Sequence, residues 1–153
     1  MTKWSVDSGQ WSEKAKPRFM GMVDNGGAVA RKKQVIRNYR DLLVWQKAMH
    51  LVEEVYQLTS RFPPDERFGL AAQLRRAAVS IPSNIAEGQA RKSTREFVQF
   101  ISLAEGSLAE VDTQLLLSER LGLCVDRDVQ TLFSVIEEIR KMLMALGARL
   151  NER

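Results

Sequence analysis

From Asp41 onward, apolar residues recur in steps of three and four, the period of one face of an α-helix. Trp45, Ala48, Met49, Val52, Val55, Tyr56 and Thr59 form the first such stripe. They predict a helix over 41–61, capped at its start by Asp41 and stopped by Pro63-Pro64. Pro64-Asp65-Glu66-Arg67 predicts the next start, with its acids facing the positive end of the helix dipole. Phe68, Leu70, Leu74, Ala77, Ala78, Ile81 and Ile85 carry that stripe, for a second helix over 65–89. Pro82 lies inside it; proline removes a backbone hydrogen bond and crowds the preceding turn, so a kink near Ser80–Pro82 is expected, or a break into two helices. Ser93, with Glu96 three residues on, reads as a capping box. Phe97, Phe100, Ile101, Ala104, Leu108, Val111, Leu115 and Leu121 follow, a third helix over 93–121, and Gly122 suits the position just past its end. Asp126 caps a fourth helix over 126–150, filled on one side by Val129, Leu132, Phe133, Ile136, Ile139, Leu143, Leu146 and Leu150.

No alternating apolar–polar run competes as a strand. Long amphipathic helices joined by short links make antiparallel neighbours. The fold class expected is therefore all-α, an antiparallel up-down-up-down four-helix bundle over 38–153. Residues 1–37 have no apolar period, and Asp24-Asn25-Gly26-Gly27 is a breaker cluster, so this stretch reads as a mostly irregular tail.

Charge adds to that division. The chain of 153 residues carries a net charge of +4, with 44% hydrophobic and 27% charged residues, the balance of one globular domain. Residues 1–37 hold eight Lys and Arg against three acids, a balance of +5, and the remainder, with 15 basic and 16 acidic residues, comes to −1. The tail, including Arg31, Lys32 and Lys33, is thus the basic part; it reads as a solvated leader or a phosphate-touching arm. A single Cys excludes an intrachain disulfide. No run of 18 apolar residues predicts a membrane span, and Lys3, Asp7, Glu13 and Lys14 leave no room for a signal-type apolar region, so a cytoplasmic protein is expected.

Little enzymatic chemistry is on offer. Di-metal carboxylate bundles need inward Glu residues and two Glu-x-x-His pairs. The one His stands in His50-Leu51-Val52-Glu53, the reverse order, off the apolar stripe, and is expected at the surface. Cys124, between Leu123 and Val125, has no supporting base motif and reads as a half-buried structural thiol. Neither a Gly-rich phosphate loop nor a Gly-x-Ser-x-Gly elbow occurs. The expectation is no enzyme, no cofactor, no metal and no small-molecule substrate.

Two polar groupings remain. Ser80, Ser83, Asn84 and Glu87 around Pro82, with Glu105, Ser107 and Glu110 on the next helix, read as a kink-and-interface device or a ligand pocket. Gly88 and Gly106 would let two backbones approach, Ser and Asn would satisfy carbonyls freed by Pro82, and Glu87 has Arg75, Arg76, Arg91 and Arg95 as possible partners. Arg75, Arg76, Arg91, Lys92 and Arg95 are the densest basic group of the domain and the candidate nucleic-acid contacts; no aromatic interleaves them, so base stacking is not expected. The helices also carry more apolar residues than one core accommodates: Leu42, Leu43, Val44 and Leu51 beside the first stripe, and Leu103, Leu115, Leu116 and Leu117 in the third helix. Surplus apolar surface predicts self-association.

Arg75-Arg76-Ala77-Ala78-Val79-Ser80-Ile81-Pro82-Ser83-Asn84-Ile85-Ala86-Glu87-Gly88 is distinctive in combination with Tyr39-Arg40-Asp41-Leu42, Val44-Trp45-Gln46-Lys47-Ala48 and Ala104-Glu105-Gly106-Ser107-Leu108 followed by Glu110. Over about 38–150 the chain resembles the bacterial four-helix-bundle family of proteins encoded in intervening sequences of 23S rRNA genes. It is also similar to the accessory variability determinants of diversity-generating retroelements. The resemblance implies a left-handed bundle that assembles as a five-fold ring, a homopentamer, and, for the retroelement members, a basic surface that binds nucleic acid and a reverse transcriptase. Five copies would gather Arg91, Lys92 and Arg95 into a ring of positive charge. The expected function is a non-catalytic oligomeric scaffold for RNA, DNA or a nucleic-acid enzyme; the alternative is a protein-interaction module with no nucleic-acid role.

Overall fold

The chain divides into two units, Met1–Gln34 and Val35–Arg153. The computed structural model describes residues 38–152, all in the second unit. These residues form four long helices: α1 (Leu43–Thr59), α2 (Leu70–Gln89), α3 (Thr94–Arg120) and α4 (Asp126–Asn151). Short 3₁₀ turns at Tyr39–Asp41 and Pro64–Arg67 precede α1 and α2, and no strand occurs among the described residues. Each helix packs on its sequence neighbour and α4 closes back on α1, an arrangement consistent with a four-helix bundle. None of the helices is long and apolar enough to cross a membrane.

One core runs through the centre. Its fully enclosed large side chains are Leu51, Leu74, Ile81, Ile85, Leu108, Leu115, Ile136, Ile139 and Leu143, with contributions from all four helices. The stripes of α2, α3 and α4 follow the expected spacing, with two exceptions: Phe68 stands 88% exposed and Leu121 is exposed beyond the end of α3. In α1 the phase is different. Val44, Ala48, Leu51, Val55 and Leu58 face inward, whereas Met49 and Tyr56 face out and Trp45 and Val52 pack on the rim. Leu42, Val44, Leu51 and Leu115 are therefore core residues and not surplus; Leu43, Leu103, Leu116 and Leu117 do remain exposed.

The helix ends depart from expectation in instructive ways. Asp41 does not cap α1. It closes a capping box with Asn38 around the preceding 3₁₀ turn, and Leu42 is the N-cap of α1. The second helix starts five residues late, because Pro64–Arg67 winds as a separate 3₁₀ turn ending at Gly69. Glu66 still serves the helix: its carboxylate accepts the Leu70 N–H at 3.0 Å. Ser93 accepts the Glu96 N–H at 3.2 Å, but the Glu96 carboxylate turns to the Ser93 hydroxyl at 2.7 Å instead of reaching back to the backbone. The N-cap of α4 is Val125, and Asp126 is its first helical residue. Gly122, at φ +71°, ends α3 as expected: its N–H reaches Glu119 C=O and that of Leu123 reaches Ser118 C=O, the paired bonds of a Schellman motif.

Helix α2 runs unbroken through Pro82, which is buried. The freed carbonyl is that of Ala78, four residues back. The Ser83 hydroxyl instead donates to Val79 C=O at 2.8 Å, so the expected repair by neighbouring Ser and Asn side chains is not what the structure contains. Gly88 does bring α2 and α3 together: a Cβ there would lie 2.7 Å from Phe100 Cβ and 2.7 Å from Phe97 Cδ2. Gly106 has open space around it and supports no such approach.

Candidate nucleic-acid interface

The fold separates the basic residues into two groups. Arg75 and Arg76 lie in the first half of α2, whereas Arg91 and Lys92 occupy the α2–α3 link and Arg95 the first turn of α3. By helical rise the groups stand about 20 Å apart. Arg31, Lys32 and Lys33 lie outside the described residues.

At the link, Arg91 pairs with Glu87 one turn earlier, which decides among the four partners open to that carboxylate. Its guanidinium also lies 4.8 Å from the centre of the Phe100 ring. Lys92 and Arg95 are exposed. Of this cluster's three cations, Arg91 is thus satisfied internally, by a carboxylate and a ring.

The other group is different. Arg75 is held from two sides by the last turn of α1: its Nε donates to Thr59 Oγ1 at 2.7 Å, and its guanidinium lies 4.8 Å from the centre of the Tyr56 ring. Thr59 is buried and in turn donates to Val55 C=O at 2.7 Å, so the anchor is rigid. Arg76 is exposed on the next position of α2. Arg67, in the 3₁₀ turn before α2, lies 5.5 Å from the ring of Phe68. Together Tyr56, Arg67, Phe68, Arg75, Arg76 and Val79 line an open groove of about 630 Å³, with Ser80 and Ser83 at one end. Among the described residues no Asp or Glu lines it, and no carboxylate pairs with Arg67, Arg75 or Arg76. The neighbouring acid Glu66 is turned to the helix backbone.

The sequence missed this site for a physical reason. Spacing alone puts Phe68 on the apolar stripe of the second helix and Tyr56 on that of the first. Only the packing of α1 on α2 sets Tyr56 under Arg75, nineteen positions apart in the chain. The absence of aromatics between the cations, read along the sequence, is overturned by aromatics delivered from neighbouring elements. Phe68 beside Arg67 was the one local signal available.

The remaining polar residues do not converge. Asn84 and Glu105 are half-buried on α2 and α3, and the Ser107 hydroxyl donates to its own helix at Leu103 C=O, 3.0 Å away. A smaller recess of about 160 Å³ lies where α1 ends and α4 begins, lined by Glu54 and Asp128 as well as by cations, and Arg61 pairs there with Asp128 at 2.9 Å. His50 is exposed on α1. Cys124 is half-buried; burial pushes its thiol pKa up, Glu119 and Asp128 add to the rise, and Arg61 opposes it. A raised value keeps the thiol protonated, the wrong state for a nucleophile. Among the described residues no cluster of three or more His, Cys, Asp or Glu is placed to hold a metal ion.

Residues 40–145 match the family model described as 23S rRNA-intervening sequence protein. A crystal structure of a protein of unknown function from the S23 ribosomal protein family of Bacteroides thetaiotaomicron superposes with a TM-score of 0.62 at 20% identity, covering 69% of this chain and 98% of that one. At that identity the likeness is one of fold. No curated protein matches the chain.

Proposed function

Given that the chain belongs to the 23S rRNA-intervening sequence protein family, we propose that it is a non-catalytic, self-associating antiparallel bundle that holds a nucleic-acid strand on the arginine groove between α1 and α2. The observation that carries this reading is the set of three arginines, Arg67, Arg75 and Arg76, in one open groove lined by no carboxylate among the described residues. Such a surface has unmet positive charge and favours a phosphate backbone.

The antiparallel course is supported by cross-helix contacts. Arg61, just after α1, pairs with Asp128 near the start of α4, while Lys47 near the start of α1 pairs with Glu138 further along α4. Self-association is supported by one flank of α3. Leu103, Leu117 and Leu121 are exposed there at helical spacing, and Gly106 leaves an open notch between them. A second copy laid on that flank would cover the leucines. The five-fold ring implied by the resemblance is the expected assembly.

The test is light scattering of the full-length chain together with titrations of RNA and DNA over a salt series. Binding through three arginines per subunit lowers log K with log salt at a slope of roughly 2 for a single strand. Arg75→Ala reduces that slope, and Leu117→Glu reduces the assembly mass. The alternative, a protein-interaction module, is favoured by the same α3 flank; it requires assembly without salt-sensitive nucleic-acid binding. A monomer at micromolar concentration refutes the assembly, and no binding at low salt refutes the nucleic-acid role.

A further inference from the structure

We propose that the groove takes unpaired nucleotides, whose bases stack on Phe68 and Tyr56 while their phosphates meet Arg67, Arg75 and Arg76; this deepens the nucleic-acid reading above and rests on it. The two rings are the reason. Phe68 is the most exposed large apolar side chain among the described residues, at 88%, and Tyr56 is 46% exposed on the same groove. Their placement beside guanidinium groups, 5.5 Å from Arg67 to Phe68 and 4.8 Å from Arg75 to Tyr56, joins a π-face to a positive charge at two points.

That pairing selects among occupants. A second copy or an apolar peptide would cover the rings, but it would also strip water from three arginines that have no carboxylate to answer them. A simple polyanion would answer the arginines and leave the rings wet. A duplex presents phosphates, yet its base faces are already stacked on one another and unavailable to a ring. A single strand offers both phosphate charge and free base faces in alternation, which is the composition of this groove. Arg75 is pre-organised for the task by Thr59 and Tyr56, so little of its side-chain freedom remains to be lost on binding. At the end of the groove the Ser80 hydroxyl can donate to sugar or phosphate, while Ser83, whose proton goes to Val79 C=O, can accept from a sugar hydroxyl.

The experiment measures fluorescence anisotropy with the full-length chain and three probes: a mixed-sequence single-stranded RNA, the same strand annealed into a duplex, and inorganic polyphosphate of matched charge. The single strand should bind tightest. Phe68→Ala should weaken it on the order of 10-fold while leaving polyphosphate unchanged, because the substitution removes a stacking surface and no charge. Arg75→Ala should weaken all three. Phe68 is exposed, so its replacement leaves the fold intact, and circular dichroism verifies this for each variant. Equal binding of strand and duplex, or no effect of Phe68→Ala on the strand, overturns base stacking while the charge reading survives. No binding of any probe at low salt overturns both. A drop in assembly mass on Phe68→Ala, seen by light scattering, overturns the proposal by making the groove a contact between copies.

Discussion

Replacing Gly88 with Ala sets two known effects against each other at one position. A helical glycine replaced by alanine normally stabilises, by about 1 kcal/mol in a helix interior and by less at Gly88 in the last turn of α2, through backbone entropy. At Gly88 the added methyl would lie 2.7 Å from Phe100 Cβ and 2.7 Å from the Phe97 ring, where carbon atoms prefer roughly 3.5–4.0 Å. The Phe97 ring edge can swing aside. Phe100 Cβ cannot, since it moves only with the backbone of α3. Overpacking of this kind costs about 1–3 kcal/mol, and because α2 and α3 share the largest helix–helix interface of the unit, the opening is felt along both. We expect a net loss of about 1–2 kcal/mol and a fall in Tm on the order of 5 °C. Gly147→Ala, inside α4, is the matched control: its new methyl would meet only Ile101 Cγ2 at an ordinary 3.8 Å, and it should gain up to about 1 kcal/mol. Thermal melts followed by circular dichroism, backed by urea titrations, measure both. A Gly88→Ala protein as stable as the parent would refute the close approach of α2 to α3.

Three further outcomes follow from the core, the α3 terminus and the thiol. Leu51→Ala, at a fully enclosed site, should lower the urea-derived stability by about 2–5 kcal/mol, whereas the same change at exposed Leu43 should cost far less; equal effects would restore the α1 phase read from the sequence. Gly122→Ala forces a side chain into the left-handed region at φ +71° and should cost about 1 kcal/mol by the same assay, with Gly122→Asn costing less. Burial raises the Cys124 pKa above its unfolded value, with Glu119 and Asp128 contributing, so the thiolate is disfavoured in the folded chain. Its contribution is intact below the unfolded thiol pKa and is lost as pH rises through the raised folded one; stability should therefore fall on the alkaline side, less steeply in Cys124→Ala, and iodoacetamide should alkylate the folded thiol more slowly than the unfolded one.

What the sequence made legible follows from which signals are local. Apolar spacing, Pro63-Pro64, Ser93 and Gly122 each act within a turn of their own position, and they locate four helices to within a few residues except at the start of α2. There, Pro64-Asp65-Glu66 carries every mark of a helix start, and the chain does turn helically, but Gly69 interrupts it and resets the phase so that Phe68 points to solvent. In α1 two apolar rows run side by side, one through Val44, Leu51 and Leu58 and the other through Trp45, Val52 and Tyr56, one residue apart. Periodicity establishes the helix and leaves the inward row open, because the choice depends on which neighbours α2 and α4 present. The candidate groove inherits both ambiguities: it is built from Phe68 and Tyr56, the two rings that the local pattern puts on the apolar stripes.

Those same two rings bear on how the apolar surface left outside the core is to be understood. Leu43, Met49, Leu116, Val125 and Met144 are exposed elsewhere, and two further regions of exposed apolar side chains have opposite chemistry. On the flank of α3, Leu103, Leu117 and Leu121 surround a bare glycine, with Glu110 on the same flank. On the α1–α2 groove, Phe68 and Tyr56 each sit against a guanidinium. An apolar protein surface can be laid over the first at little electrostatic cost, but over the second only by burying unpaired cations. The proposed second copy and the proposed strand thus have separate places to go, on different helices. Assembly would then multiply the groove without covering it, and the weak grip of three arginines would become a multivalent hold on one continuous strand.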